Sequence, residues 1–468
     1  MTTSSASGTL DARLQRRILT VLFIGVFMSA LDAAIIAPAV PALRAAFGVD
    51  NSQIGMLTIV FSLFTLSSTT LMASLGDRYG RRRVYLLCVA GFALGSLLIA
   101  LAPSFWLVLV GRAIQGFSAG GVSPTASAVV GDAFPPRERG KALGLIGATV
   151  GMAFLLGPLV ASLILVVLSW HWIFLINLPV AALVIWLGLR NLPVTHVDGP
   201  PAPLDWTGIL IVAVMLSCLT LGINRVLDTA LGLTLWPYLL GIAALCVPLL
   251  IAVERRAARP VVPLDLFSTR QIALTYTLCV GAGFGMGSVI FIASVAVAAL
   301  GVAPEQAGLL LIPMVLASTA GSVVFGRLLN RLGSRMVMII GFSTLAIGSA
   351  TLTLAALGLW MFLIASMLVG LGVGIVVGGT LRTIVLNEVA PEQRGAAQGL
   401  VNVGIAVGNL LVVAALGILA DTQGGGMAGL RVAYLASAAV MVTMLLLSFG
   451  LKPHGEEQLA IATGPASS

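Results

Sequence analysis

Ala73–Val84 reads ASLGDRYGRRRV, and Gly326–Val337 reads GRLLNRLGSRMV. Leu75, Arg78, Gly80, Arg82 and Val84 of the first stretch meet Leu328, Arg331, Gly333, Arg335 and Val337 of the second in register. A second pair repeats at almost the same separation. FPPRERGKALGL from Phe134 aligns with VAPEQRGAAQGL from Val389, matching Pro136, Arg139, Gly140, Ala142, Gly144 and Leu145 to Pro391, Arg394, Gly395, Ala397, Gly399 and Leu400. Two independent matches at nearly one spacing mean that the chain is built from two parallel halves, the arrangement used for alternating access across a central cavity.

Between these loops the chain is apolar. Its 468 residues are 59% hydrophobic and 9% charged, with a mean hydropathy of +1.09. Soluble domains carry about 25% charged residues, so this composition cannot supply a water-facing surface and defines an integral membrane protein. Apolar runs long enough to cross a bilayer as helices centre in 18–40, 54–75, 84–102, 106–130, 142–167 and 172–192. Two more follow at 207–226 and 233–253, and a last set at 272–299, 306–326, 336–356, 359–384, 396–420 and 431–451. The expected architecture is all-α, with fourteen transmembrane helices. A tail over 1–17 precedes a six-helix bundle over 18–192. A linker over 193–270 carries the two inserted helices, and a second six-helix bundle over 271–451 ends in a tail over 452–468.

The net charge of +8 and pI near 9.9 read as membrane topology rather than nucleic-acid binding, because the basic residues sit in short clusters between apolar runs. With the N-terminus inside, only Arg44, Arg225 and Arg431 of the 25 Lys and Arg fall in outside loops, and only Arg112 lies well within a span. The rest, Arg382 among them, fall on inside segments or adjoining span ends. Both termini are therefore expected in the cytoplasm. The first apolar run exceeds twenty residues without a convincing cleavage site and reads as an uncleaved span. Cys88, Cys218, Cys246 and Cys279 lie within apolar runs and read as small buried hydrophobes.

Of the 17 Asp and Glu, only Asp32 lies deep in an apolar run, within LDAAIIAPAVP from Leu31. A carboxylate at the middle of a membrane helix costs about 2.5 to 3.5 kcal/mol on insertion scales, so its presence needs a reason. Counted from the outer span ends, Asp32 lies roughly 13 Å deep and Arg112 roughly 10 Å. Opposite charges at one depth lower each other's insertion cost, which predicts a direct or water-mediated pair. Desolvation favours the neutral acid and Arg112 favours the carboxylate, so a movement that parts them changes protonation. A site that holds either a proton or a substrate is an exchanger.

Taken together, the motifs resemble the major facilitator superfamily, and within it the fourteen-span drug:proton antiporters that export quaternary ammonium compounds and other drugs. GDRYGRRR resembles the superfamily's loop between spans two and three, and LDAAIIAPAVP the Asp-containing first-span signature of the drug exporters. Arg112, Gln115 and Gly116 in GRAIQG resemble the fourth-span signature, and Gly157-Pro158 the antiporter signature of span five. WHWIFLINLP from Trp170 and ERRAARPVVPLDLF from Glu254 resemble stretches of the fourteen-span branch. The departures are Ala73 for a usual Gly, Ala161-Ser162 for a frequent pair of glycines, His171 for a common Arg, and Asn330 for the acid of the second loop copy. The last implies a weaker charge cluster in the second half.

The resemblance implies a proton-coupled antiporter of the cytoplasmic (inner) membrane that exports amphipathic or hydrophobic drugs, cationic or neutral, with Asp32 and Arg112 at the proton site. An exporter of an endogenous metabolite or lipid with the same coupling is the alternative. Asp77, Arg78, Gly80, Arg81 and Arg82 form either a latch between helices or topology-setting charge, and Asp77 has the chemistry to accept N–H bonds from a neighbouring helix end. Gly151, Gly157 and Pro158 in span five, and Gly370, Gly374 and Gly378 in a later span, serve either close packing or gating. Phe27, Met28, Ile35, Ser62, Thr65, Gln115, Tyr276, Phe284, Met286 and Phe291 are candidates for the substrate cavity, since apolar walls with few polar anchors suit bulky amphipathic molecules. The expected partners are such molecules, protons and membrane lipids, for a monomer with no cofactor, no metal and the proton gradient as energy source. There is no GxxxxGK[ST], and His171, His196 and His454 are far apart, so no enzyme is expected.

Overall fold

The computed structural model describes residues 12–49, 51–194, 205–224, 234–256, 269–302, 307–354, 358–390, 393–421 and 426–463. Among them every regular element is helical, because a backbone in hydrocarbon must satisfy its own N–H and C=O groups. The first half comprises α1 (Ala12–Phe47), α2 (Asn51–Tyr79), α3 (Arg81–Ala100), α4 (Phe105–Ala133), α5 (Pro136–Val167), the short α6 (His171–Leu175) and α7 (Asn177–Asn191). Two helices follow, α8 (Trp206–Asn224) and α9 (Trp236–Glu254). The second half comprises α10 (Arg270–Ser288), α11 (Ile292–Leu300), α12 (Ile312–Thr351), α13 (Leu359–Ile375), α14 (Leu381–Glu388), α15 (Arg394–Asp421) and α16 (Gly426–Ser448), and α17 (His454–Thr463) closes the chain.

Among the described residues, 12 helical segments are long and apolar enough to cross a membrane, rather than the expected fourteen. Two elements make the difference. Leu309–Thr351 runs as a single segment of 43 residues where two spans were expected, although Gly333 within it (φ 76, ψ 160) departs from helical geometry. α5 is helical over 32 residues but is not among the twelve, and the side chains of residues 150, 151, 154, 155, 158, 159 and 162 within it lie outside the described residues.

The repeat is visible in the backbone. Gly80 (φ 93) and Gly333 (φ 76) hold the same positive-φ turn in the two loop copies, a conformation open to glycine at no steric cost. Each half has its own core, with Tyr85, Phe92 and Phe174 in the first and Phe342, Phe362 and Tyr434 in the second fully buried. The halves meet along two seams. α5 packs on α12, where Gly140, Gly144 and Gly326 bring the backbones together: a Cβ on Gly144 would lie 2.7 Å from the Ser322 carbonyl oxygen. α2 packs on α15, and α8 covers that seam through Ile211, Val212 and Leu216, which join Leu66 and Leu400 in one cluster. Ser67 and Ser217 hydroxyls meet there at 3.0 Å. Cys88, Cys246 and Cys279 are buried, as their apolar setting predicts, and Cys218 is half-buried.

Candidate functional site

Asp32 on α1 and Arg112 on α4 are 2% and 1% exposed and in direct contact, with Arg112 Nη1 donating to Asp32 Oδ2 at 2.6 Å. The depth argument thus leads to a real pair. Asp32 Oδ1 accepts two further bonds, from Gln115 Nε2 at 3.1 Å and from Asn177 Nδ2 at 2.8 Å. Gln115 stands three residues after Arg112 on the same helix face, and its Oε1 accepts from Arg112 Nη1 at 2.9 Å. Ser96 Oγ on α3 ties the two amides together, accepting from Gln115 at 2.7 Å and Asn177 at 3.2 Å. Arg112 Nε donates to the Leu57 carbonyl of α2 at 3.3 Å, and its guanidinium lies 4.2 Å from the centre of the Phe61 ring. Five helices therefore meet in one network, and two of them, α4 and α7, donate directly to the carboxylate of α1. Charge-assisted bonds of this kind are roughly twice as strong as neutral ones, and in a dry interior the network is stable only while every member is satisfied.

Glycines make the convergence possible. A Cβ on Gly95 would lie 2.8 Å from the Gln115 nitrogen, and one on Gly111 2.9 Å from the Gly95 oxygen, so α3 approaches α4 closely enough for Ser96 to reach Gln115. Ser96 and Asn177 escaped the sequence reading. The one signal for Asn177 is that it is an amide within the apolar stretch WHWIFLINLP.

The loop cluster crosses the seam between the halves. Asp77 accepts from Arg81 (Nη2, 2.9 Å) and from the backbone N–H groups of Gly395 and Ala396 (3.1 and 3.0 Å) in the first turn of α15. A carboxylate there also complements the helix dipole. A Cβ on Gly395 would lie 2.5 Å from the Asp77 carboxylate, which explains the glycine. Arg81 pairs as well with Asp132, which in turn accepts from Arg394 at 3.0 Å. Arg139 of α5 donates to Asn387 of the second half at 3.0 Å. Of the other loop candidates, Arg82 donates to the Leu189 carbonyl, Arg78 lies over the Tyr79 ring at 5.0 Å, and Gly80 makes the turn. Asp77→Asn is expected to weaken this junction by about 1 to 3 kcal/mol. Hydrogen exchange at Gly395 and Ala396 at least about tenfold faster than in the wild type would register it.

Gly157 packs on α1 two residues from the site, its absent Cβ leaving room for the Ala34 methyl at 2.6 Å. Gly151 and Pro158 lie within α5, and their side chains lie outside the described residues.

A cavity of about 210 Å³ opens elsewhere, between α5, α12, α13 and the 3-10 turn after α10. Its walls are Gly147 and Ala148, Met286, Val289 and Ile290, Met314 to Ser322, Gly370 to Gly378, and Asn409 of α15. Of the ten cavity candidates only Met286 lines it. Met28, Ile35 and Tyr276 are core residues, and the Tyr276 hydroxyl donates to the Ala397 carbonyl at 3.2 Å. Phe27 stacks on Phe23, Thr65 donates to the Phe61 carbonyl at 2.7 Å, Ser62 is half-buried on α2, and Phe284 and Phe291 pack against the second core. Gln115 belongs to the Asp32 network. The small-residue row at Gly370, Gly374 and Gly378 therefore faces a cavity as well as a neighbouring helix. Beside it, Val376–Thr380 forms a π-helical turn, and a Cβ on Gly147 would strike the Gly378 carbonyl.

The sequence profile described as Major Facilitator Superfamily matches residues 22–291 and 273–466. The chain is similar to Multidrug resistance protein 3 of Bacillus subtilis, 29% identical over 80% of this chain and 74% of that protein. It is also similar to Riboflavin transporter RibZ of Clostridioides difficile, at 28% over 81% of this chain and 82% of the other. In fold it matches the crystal structure of the human organic anion transporter MFSD10 (TETRAN), with a TM-score of 0.70 at 18% identity, covering 93% of this chain and 99% of that one.

Proposed function

Because this chain belongs to the Major Facilitator Superfamily, a family of membrane transporters rather than enzymes, we propose that it is a proton-coupled antiporter that exports amphipathic or hydrophobic drugs by alternating access. The observation that carries the reading is the buried Asp32 carboxylate, held by Arg112, Gln115 and Asn177. Protonating Asp32 removes the charge that these three donors serve and leaves Arg112 with Gln115, the Leu57 carbonyl and the Phe61 ring. α1 is then free to move relative to α4. Ala34 of α1 bears on Gly157 of α5, and α5 bears through Gly147 on Gly378 at the cavity wall, so a contiguous chain of backbone contacts joins the proton site to the cavity.

On this reading α5, with 32 residues, and the two arms of Leu309–Thr351 on either side of Gly333 bring the crossings to fourteen, as in the drug:proton antiporter branch. The loop end with Asp77 and both termini face the cytoplasm. The conformation described is closed on that side by the Asp77, Asp132 and Arg139 contacts. The transporter works as a monomer in the inner membrane, with protons, lipids and substrate as partners and no resident cofactor. The gradient supplies about 1.4 kcal/mol per pH unit.

No charged side chain lines the cavity among the described residues. This favours uncharged or weakly polar substrates, and exchange of one proton for a neutral molecule also draws on the membrane potential at about 2.3 kcal/mol per 100 mV. The name of Multidrug resistance protein 3 supports drugs as the substrate class, and that of Riboflavin transporter RibZ supports a second reading, export of an endogenous metabolite. Drug-susceptibility profiles and the exported metabolites of a deletion strain distinguish them: hypersensitivity to several unrelated lipophilic drugs is expected, and an unchanged profile with a retained metabolite would favour the second.

Gly147→Val tests the path to the cavity. Overpacking against the Gly378 backbone is expected to cost about 1 to 3 kcal/mol and to reduce export of the neutral dye Nile red at least about tenfold, with the protein still inserted. Wild-type export by this variant would remove the α5 contact from the path.

A further inference from the structure

The second loop copy has lost both members of the first copy's central pair. Where Asp77 and Arg81 stand in the first half, Asn330 and Ser334 stand in the second. An acid is nevertheless present, and it comes from the end of the chain. Glu457 of α17 is only 9% exposed, and its Oε2 accepts from the Ser334 backbone N–H at 2.9 Å and the Ser334 hydroxyl at 3.1 Å. Ser334 opens the helical arm that follows the Gly333 turn, so Glu457 caps a helix start whose macrodipole favours negative charge. Gly333 also has to be glycine for a second reason: a Cβ there would lie 2.8 Å from His454 Nδ1 of α17.

The segment before α17 is tied down as well. Lys452 Nζ bonds both Glu388 oxygens at 2.7 and 2.9 Å, and its backbone N–H donates to Gln271 Oε1 at 2.9 Å. α17 packs on the second half and borders the seam between the halves. His454, Glu457 and Gln458 share a small crevice with Pro136 and Arg137 of the first half and with Asn330 and Asn387 of the second. Asn330 itself donates across the seam to the Arg137 carbonyl.

We propose that Glu457 is a positioning residue of the transport cycle. It supplies from the C-terminal helix the acid that the second loop copy lacks, and α17 braces the closed seam until the loop end opens. The inference rests on the alternating-access reading above but not on proton coupling or on the substrate. It implies that the two halves are held shut by different devices: Asp77 reaches from the first half's loop to α15 across the seam, and a detachable helix serves the second loop copy.

Spin labels at Glu138 and Arg331, one in each half, read the opening by pulsed electron–electron distance measurement on the full-length protein in nanodiscs without substrate. Glu457→Ala is expected to raise the population at the longer distance about fivefold, with a smaller increase for Glu457→Gln, which keeps the side-chain size. Ser334→Ala, which removes one of the two donors that Glu457 serves, is expected to shift the distribution in the same direction by less, and to add little to Glu457→Ala. Unchanged distances in both Glu457 variants, or a Ser334→Ala shift that adds in full to that of Glu457→Ala, would overturn the proposal. A failure of proton coupling alone would leave these distances as stated.

Discussion

Asp32→Asn is expected to insert and fold, to bind substrate, and to lose pH-driven export. In proteoliposomes with an imposed gradient of one pH unit, the wild type has about 1.4 kcal/mol available per proton, enough for about tenfold accumulation of a substrate exchanged one for one. The variant should show none. Folding survives because Arg112 keeps the Gln115 carbonyl oxygen, the Leu57 carbonyl and the Phe61 ring. Even so, removing one member of a buried pair typically costs about 3 to 5 kcal/mol, so a lower melting temperature is expected alongside the lost transport. Accumulation by Asp32→Asn at the wild-type level would place the proton elsewhere.

The second large effect belongs to Arg112. Arg112→Ala leaves the Asp32 carboxylate buried with two amides and no cation, and it also strips a donor from the Leu57 carbonyl. The exchange site then lacks its cation, and coupled export should fall by about two orders of magnitude, the equivalent of roughly 3 kcal/mol. Arg112→Lys keeps a cation but not the planar fork that reaches Asp32, Gln115 and Leu57 together, nor the same stack on Phe61. An intermediate rate is therefore expected, and the ordering wild type, Lys, Ala is the test, read as proton-driven uptake of Nile red into everted vesicles. Equal rates in all three would remove the pair from the account.

These effects were legible before the structure because charge is expensive in hydrocarbon. Asp32 and Arg112 stood out against an apolar background, and counting residues from the span ends placed them at one depth. The two loop copies were legible for a similar reason: a glycine at a sharp turn flanked by arginines is rare enough to align, and Gly80 and Gly333 do share the positive-φ turn. Neutral polar residues are a different matter. Thr65 and Thr69 satisfy themselves on carbonyls of their own helix at 2.7 and 2.6 Å, whereas Ser96, besides donating to its own helix, and Asn177 meet side chains of other helices, and nothing local separates the two groups.

The cavity was the least legible feature. In a membrane helix the lipid-facing side is as apolar as the lining of a cavity, so Phe27, Met28, Ile35 and Tyr276 could not be told from packing residues by type. The actual wall mixes Val, Met and Ile side chains with glycines and small hydroxyl residues, and the spacing of Gly370, Gly374 and Gly378 does not by itself show what that row faces. Arg382 carries a role that its count among the basic inside segments did not reveal. It is only 9% exposed and bonds Ser127 of the first half at 3.2 Å and Asn402 of its own half at 2.6 Å. A long side chain at a span end points inward or outward as packing dictates. The seam contact of Asp77 with α15, and the contact of Glu457 with Ser334 inside the second half, join residues more than 100 positions apart that only the fold brings together.

The claim at the centre is that one buried carboxylate exchanges a proton for substrate. It is tested most directly by adding Nile red to purified, weakly buffered protein and recording proton release per molecule. Across a pH series the account predicts up to one proton from the wild type, and none from Asp32→Asn. Equal release from both proteins, or no release from a wild type that binds the dye, would contradict it.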